Sequence, residues 1–185
     1  MFIKRVIIKN NKIIDRQIFE DTIRLTIGAE YDIKYENNYI FLEIYDFEDS
    51  FSKINLIADI ITNDFNALFT ILIVPKFDKF MLKLLNSING SGVFNAYQVL
   101  NSLLIKNQIK KDEIPLYLKQ IDKELIKTFV MYYEAGMNIC STARLLYLHR
   151  NTLNYKLTKL SETLDMDVRD NLIANFLYLI AKIIW

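Results

Sequence analysis

The segment "ALFTILIV" (Ala67–Val74) is the feature that most restricts the fold. An apolar run of this length, closed by Pro75, suits a central, fully buried strand. Such a strand needs neighbours, and the preceding sequence supplies them. "FIKRVIIK" (Phe2–Lys9) is β-branched and partly alternating, which predicts a strand. Asp15 is placed to cap a helix reaching about Leu25, with Ile18, Ile23 and Leu25 as its apolar positions. "YDIKY" and "YIFLEIY" flank "ENN" around Asn37–Asn38 and predict a β-hairpin. Phe51, Ile54, Ile57, Ala58 and Ile61 recur at three- and four-residue offsets, so a helix is expected from about Asp49 or Ser50. The resulting β-α-β-β-α-β order is the ferredoxin-like layout. It predicts an α+β domain whose four-stranded sheet lies within residues 1–75, with two helices on one face.

Beyond Pro75 the patterns turn helical. "DKFMLKLLNSI" is amphipathic, "NGSG" (Asn89–Gly92) is the clearest breaker in the chain, and "NAYQVLNSLLIKN" resumes a helical pattern. The charged stretch ending at Pro115 suggests a boundary, dividing the chain into an α+β part, 1–114, and an all-helical part, 115–185. With four Gly, two Pro and no Ser/Gly- or Pro-rich tract among 185 residues, a long disordered linker is not expected.

Composition excludes several functions. Cys140 is the only cysteine and His149 the only histidine, so one chain can form neither an internal disulfide nor a zinc site of the usual N/S type. A Ser-His-Asp or Cys-His arrangement would have to use His149, and no phosphate-cradling Gly-rich motif is present. No catalysis, cofactor or metal is therefore expected. The amino terminus does not read as a signal peptide. The apolar tail Asn171–Trp185 is too short to cross a bilayer and suits a helix that closes the core or forms a dimer surface. A cytoplasmic location without a membrane partner is the expectation. The net charge of +1 means that attraction to nucleic acid would have to be local.

Such a locality exists. No carboxylate occurs from Ala135 to Ser161, although the chain carries 22 acidic residues against 23 basic ones. Within this window one helix is expected over Ser141–Tyr147, with Ile139, Ala143 and Leu146 facing inward. "LHR" then makes a turn around a buried Leu148. A further helix is expected over Asn151–Leu164. It follows a helix starting at Asp122 and stopped by Gly136. Leu153, Leu157, Leu160 and Leu164 make one buried stripe, which leaves Asn151, Asn154, Tyr155, Thr158 and Lys159 outward. Two short helices joined by a tight turn, the second polar and acid-free outside, describe a helix-turn-helix. Arg and Asn pair bidentately with guanine and adenine edges, and the absence of carboxylates avoids repulsion by phosphates.

"NICSTARLLYLHRNTLNYKLTKLSETLDMDVRD" resembles the C-terminal helix-turn-helix of PucR/CdaR-type bacterial transcription regulators over about residues 118–180. Asn138, Thr142, Ala143, Leu146, Tyr147, the "HRNTL" core from His149 to Leu153, Tyr155, Leu157, Lys159, Asp167, Arg169 and Asp170 carry it. The chain departs from the pattern at Cys140, where the family has a capping Ser, leaving that cap to Asn138 or Ser141. Asp165 replaces the usual Gly, and Asn154 and Thr158 replace residues that are often basic. The resemblance implies a sequence-specific regulator that binds double-stranded DNA as a homodimer. Arg150, Asn151, Thr152, Asn154, Tyr155 and Lys159 would meet bases or the groove. Ser141, Thr142, Arg144, His149 and Lys156 would meet phosphates. It also implies that the first part is a degenerate GGDEF-like domain, open to an unknown small-molecule effector. The competing expectation is an interaction module whose helix-turn-helix no longer binds DNA.

Overall fold

A computed structural model describes residues 3–10, 15–28, 30–45, 50–63, 65 and 67–185. Phe2, Asp49 and the side chain of Phe51, which have places in the expected first strand and second helix, lie outside the described residues. The chain divides into two compact units, Met1–Val99 and Leu100–Trp185. The division falls within a helix, Ala96–Ile105, ahead of the boundary placed from the sequence at 114/115.

In the first unit β1 (Lys4–Asn10), α1 (Arg16–Ile27), β2 (Tyr31–Glu36), β3 (Tyr39–Ile44), α2 (Ser50–Asn63) and β4 (Phe69–Val74) follow the expected order. α3 (Lys79–Asn86), β5 (Gly92–Asn95) and α4 (Ala96–Ile105) come next. The sheet order is β2-β3-β1-β4-β5, antiparallel throughout except for the parallel pair β4–β5. The expected four-stranded sheet is thus a five-stranded mixed one that extends past residue 75. The added strand is only four residues, "GVFN", directly after the breaker, and no periodicity shows over so short a run. It is held by backbone pairing from Thr70–Gly92 to Ile73–Asn95, and the Thr70 hydroxyl donates to Gly90 O at 2.7 Å. Gly90 and Gly92, both at φ 133°, supply a backbone geometry closed to other residues.

All six residues of β4 are buried, because both faces of the sheet are covered. On one face α3 packs over β1 and β4. On the other, Tyr31 Oη donates to Glu20 O of α1, and the Arg16 guanidinium lies 4.8 Å over the Tyr35 ring. α1 packs against α2, which contacts β4 and β5. Asp15 caps α1, accepting from Ile18 N at 3.1 Å. Its inward residues are Phe19 and Ile23, four apart, whereas Ile18 and Leu25 are exposed. The expected set 18, 23, 25 mixed faces because those spacings do not repeat at the helical period. Arg5 is buried on β1 and donates to Glu43 Oε1 at 2.7 Å and to Pro75 O at 3.0 Å, which makes its burial tolerable.

In the second unit a 3₁₀ turn (Lys111–Glu113) and α5 (Leu116–Lys119) precede α6 (Lys123–Glu134), α7 (Ile139–Leu145), α8 (Arg150–Leu164) and α9 (Asn171–Ile184). α6 packs on α7, α8 and α9. Phe129 of α6 and Phe176 of α9 are fully buried at the centre. The inner face of α9 therefore closes the core, as one of its two expected roles has it. Among the described residues no helix is long and apolar enough to cross a membrane.

Candidate nucleic-acid interface

Local chemistry cuts α6, α7 and α8 to length. Each begins at a side chain that accepts from its first turn. Asp122 accepts from Glu124 N and Leu125 N, Asn138 Oδ1 from Ser141 N at 2.9 Å, and His149 Nδ1 from Asn151 N at 3.2 Å. Cys140 thus leaves the cap of α7 to Asn138, and the helix starts two residues earlier than the pattern suggested. Each helix also ends at a left-handed residue: Gly136 (φ 69°), Tyr147 (φ 53°) and Asp165 (φ 55°). The following amides reach back to the last turn. Met137 N donates to Tyr132 O at 2.9 Å, Leu148 N to Ala143 O at 2.9 Å, and Met166 N to Ser161 O at 3.0 Å. This is the Schellman arrangement, repeated at all three ends. It makes the chain reverse sharply between α7 and α8, with the first turn of α8 at the surface.

Packing fixes which face of α8 is outward. Leu153, Leu157, Leu160 and Leu164 are each at most 1 % exposed, so the expected stripe is the buried one. Ala143 is buried under α8, but Ile139, Leu146 and Leu148 are only half-buried. Thr142 fills the space instead, with no exposed surface, and its hydroxyl donates to Asn138 O at 2.7 Å.

The expected contact residues separate accordingly. Arg150, Asn151, Thr152, Asn154, Tyr155 and Lys159 are all exposed on α8, and Ser141, Arg144 and His149 are exposed beside them. Two expectations are corrected. Thr142 is sealed in the core and cannot reach a phosphate. Lys156 is turned towards α6, where its ammonium pairs with Glu124, leaving its side chain 19 % exposed. Its position one residue past Tyr155 carries it around the helix towards the α6 contact. His149 combines surface exposure with a cap, so in the neutral ring Nε2 carries the proton.

One side chain absent from the expected set reaches this surface. Arg169, in the segment between α8 and α9, donates through Nη2 to Asn154 O and to Thr158 Oγ1, both at 3.1 Å. Asp167 and Asp170 lie within two positions of it, so neither the charge pattern nor the helical period pointed to it. Among the described residues no group of three or more His, Cys, Asp or Glu could hold a metal ion.

A family comparison falls on the same residues. The family model for the PucR C-terminal helix-turn-helix domain matches residues 125–179, from the first turn of α6 into α9. The purine catabolism regulatory protein of Bacillus subtilis (strain 168) is 40 % identical over 52 residues, which are 28 % of this chain and 10 % of that protein. The crystal structure of a regulator of polyketide synthase expression from Bifidobacterium adolescentis aligns with 99 % of this chain and 80 % of its own, at a TM-score of 0.45 and 15 % identity. The caps of α7 and α8, the leucine stripe and the exposed turn lie within the matched segment, and residues 125–179 are a PucR C-terminal helix-turn-helix domain.

Proposed function

We propose that the chain is a sequence-specific, DNA-binding transcription regulator of the PucR/CdaR type that reads the major groove with α8. The carrying observation is the outer face of that helix, whose first three turns expose Arg, Asn, Thr, Tyr and Lys and no carboxylate. Arg150, Asn151, Thr152, Asn154, Tyr155 and Lys159 are assigned to bases or the groove. Ser141, Arg144 and His149 are assigned to phosphates. One short recognition helix covers few base pairs, so two copies would bind half-sites about one helical turn apart as a homodimer. On this reading the protein is cytoplasmic and not an enzyme. Residues 115–185 form its DNA-binding domain, and the ferredoxin-like first part is a degenerate GGDEF-like domain suited to an effector.

The test is selection from a random duplex pool at about 0.15 M salt, comparing wild type with Arg150→Ala/Asn151→Ala. Enrichment of a two-fold motif by the wild type alone supports the reading. A second reading, an interaction module, is favoured by the Lys156–Glu124 pair, which removes one cation from the binding surface. It predicts no enriched motif and no salt-dependent duplex affinity.

A further inference from the structure

A helix lying in the major groove has a sugar–phosphate wall on each flank, because the groove is about 12 Å wide and a helix with side chains is about as broad. The two flanks of α8 are unequal. Lys159 lies on one. Asn154 and Thr158, four apart and therefore on one strip, lie on the other. Past the first turn that second flank has no cation of its own. The Arg169 guanidinium fills this place, its Nη2 held by Asn154 O and Thr158 Oγ1. Both of those hydrogen bonds come from one nitrogen. Of the five N–H donors of the arginine side chain, those of Nη2 make its hydrogen bonds among the described residues, while Asp167 accepts from the backbone N–H of the same residue at 3.0 Å. The residue is half-buried at the edge of α8.

We propose that Arg169 is a DNA-backbone contact: a cation supplied to the neutral flank of the recognition helix from outside that helix, donating Nε–H and Nη1–H to a phosphodiester oxygen. The proposal rests on the regulator reading. It makes Asn154, a groove residue, and Thr158 the seat of an imported charge. Arg serves here better than Lys would as an anchor, since one planar fork can bind the helix with one nitrogen and a phosphate with the others.

The test uses the full chain and the duplex enriched by selection, with affinity measured from about 0.05 to 0.2 M salt. Each phosphate contact adds about 0.9 to the slope of log affinity against log salt, so Arg169→Gln should lower the slope by that amount per bound copy. Arg169→Lys should keep most of it. An unchanged slope in a folded Arg169→Gln chain would show that the residue only holds the helix, and overturns the inference. If that variant fails to fold, the Arg169 Nε–H resonance of the wild type is followed by NMR as duplex is added. A shift supports the contact, and an unmoved resonance at saturation overturns it. A wild-type chain with no salt-dependent duplex binding overturns the regulator reading and this inference with it, whereas salt-dependent binding with an unchanged Arg169→Gln slope overturns this inference alone.

Discussion

Single residues in the helix-turn-helix serve backbone geometry and surface chemistry together. His149 closes the first turn of α8 with Nδ1 while its ring stays exposed. Replacing it with Ala should cost about 1 kcal/mol in urea unfolding, and Asn should recover most of that loss, because Asn is a strong capping residue. If Ala and Asn prove equally destabilising, the cap is not what His149 contributes. Tyr147 is the clearer conflict between local cost and position. It is 96 % exposed and sits at φ 53°, where glycine is the low-cost residue. Tyr147→Gly should raise stability by roughly 0.5 kcal/mol, the relieved left-handed strain being partly offset by the greater freedom of the unfolded chain. Loss of stability on that change would mean that the ring makes contacts its exposure does not suggest.

Elements are held by a few specific contacts. Leu157, 1 % exposed, joins α8 to the core, so Leu157→Ala should cost about 2–5 kcal/mol, while Tyr155→Ala on the outer face should change stability by less than about 0.5 kcal/mol. Equal losses for both would contradict the assignment of faces. In the sheet, Arg5→Ala leaves Glu43 without its ion partner in a partly buried site and should cost about 3 kcal/mol, with Arg5→Met milder. Between α6 and α9, Lys182 donates to Glu134 at 3.0 Å and Tyr178 donates to the same carboxylate at 2.9 Å. The hydrogen bond from Lys182, with that from Tyr178 second, holds the Glu134 carboxyl below its ordinary value. The hydrogen bond to Glu134 correspondingly raises the Lys182 ammonium. The contribution of Glu134 is present above its unfolded value and is lost as pH falls through the lowered folded one. That of Lys182 is present below its unfolded value and is lost as pH rises through the raised folded one. The link therefore spans neutral pH. In a carboxyl NMR titration, Lys182→Met should move Glu134 back up towards the usual carboxylate range, and an unmoved midpoint would discount the pair.

At the scale of the molecule, charge is distributed rather than abundant. A net charge of +1 coexists with a stretch from Ala135 to Ser161 that carries only basic charges. If the regulator reading holds, sedimentation on a selected duplex should give two chains per duplex, and a strict monomer would contradict the homodimer. Much of the fold was legible in sequence because local rules decide it. The Asn37–Asn38 hairpin turn follows from turn chemistry, the six-residue β4 from an unbroken apolar run closed by Pro75, and the leucine stripe of α8 from a period of 3.6 residues. The helix-turn-helix was legible for the same reason, since its caps and stops lie within a few residues of the helices they bound. What the sequence by itself determined is therefore the order of the elements from β1 to β4, the helical pattern of the second part and the outward face of α8. Only the tertiary structure decided that β5 joins the sheet, because four half-buried residues carry no pattern and gain their place through pairing with β4. Only it removed Thr142 and Lys156 from the binding surface, one by burial in the core and the other by pairing with Glu124, 32 residues away. And only it brought Arg169 beside Thr158, a meeting that depends on how the chain returns after Asp165 and that no helical period records.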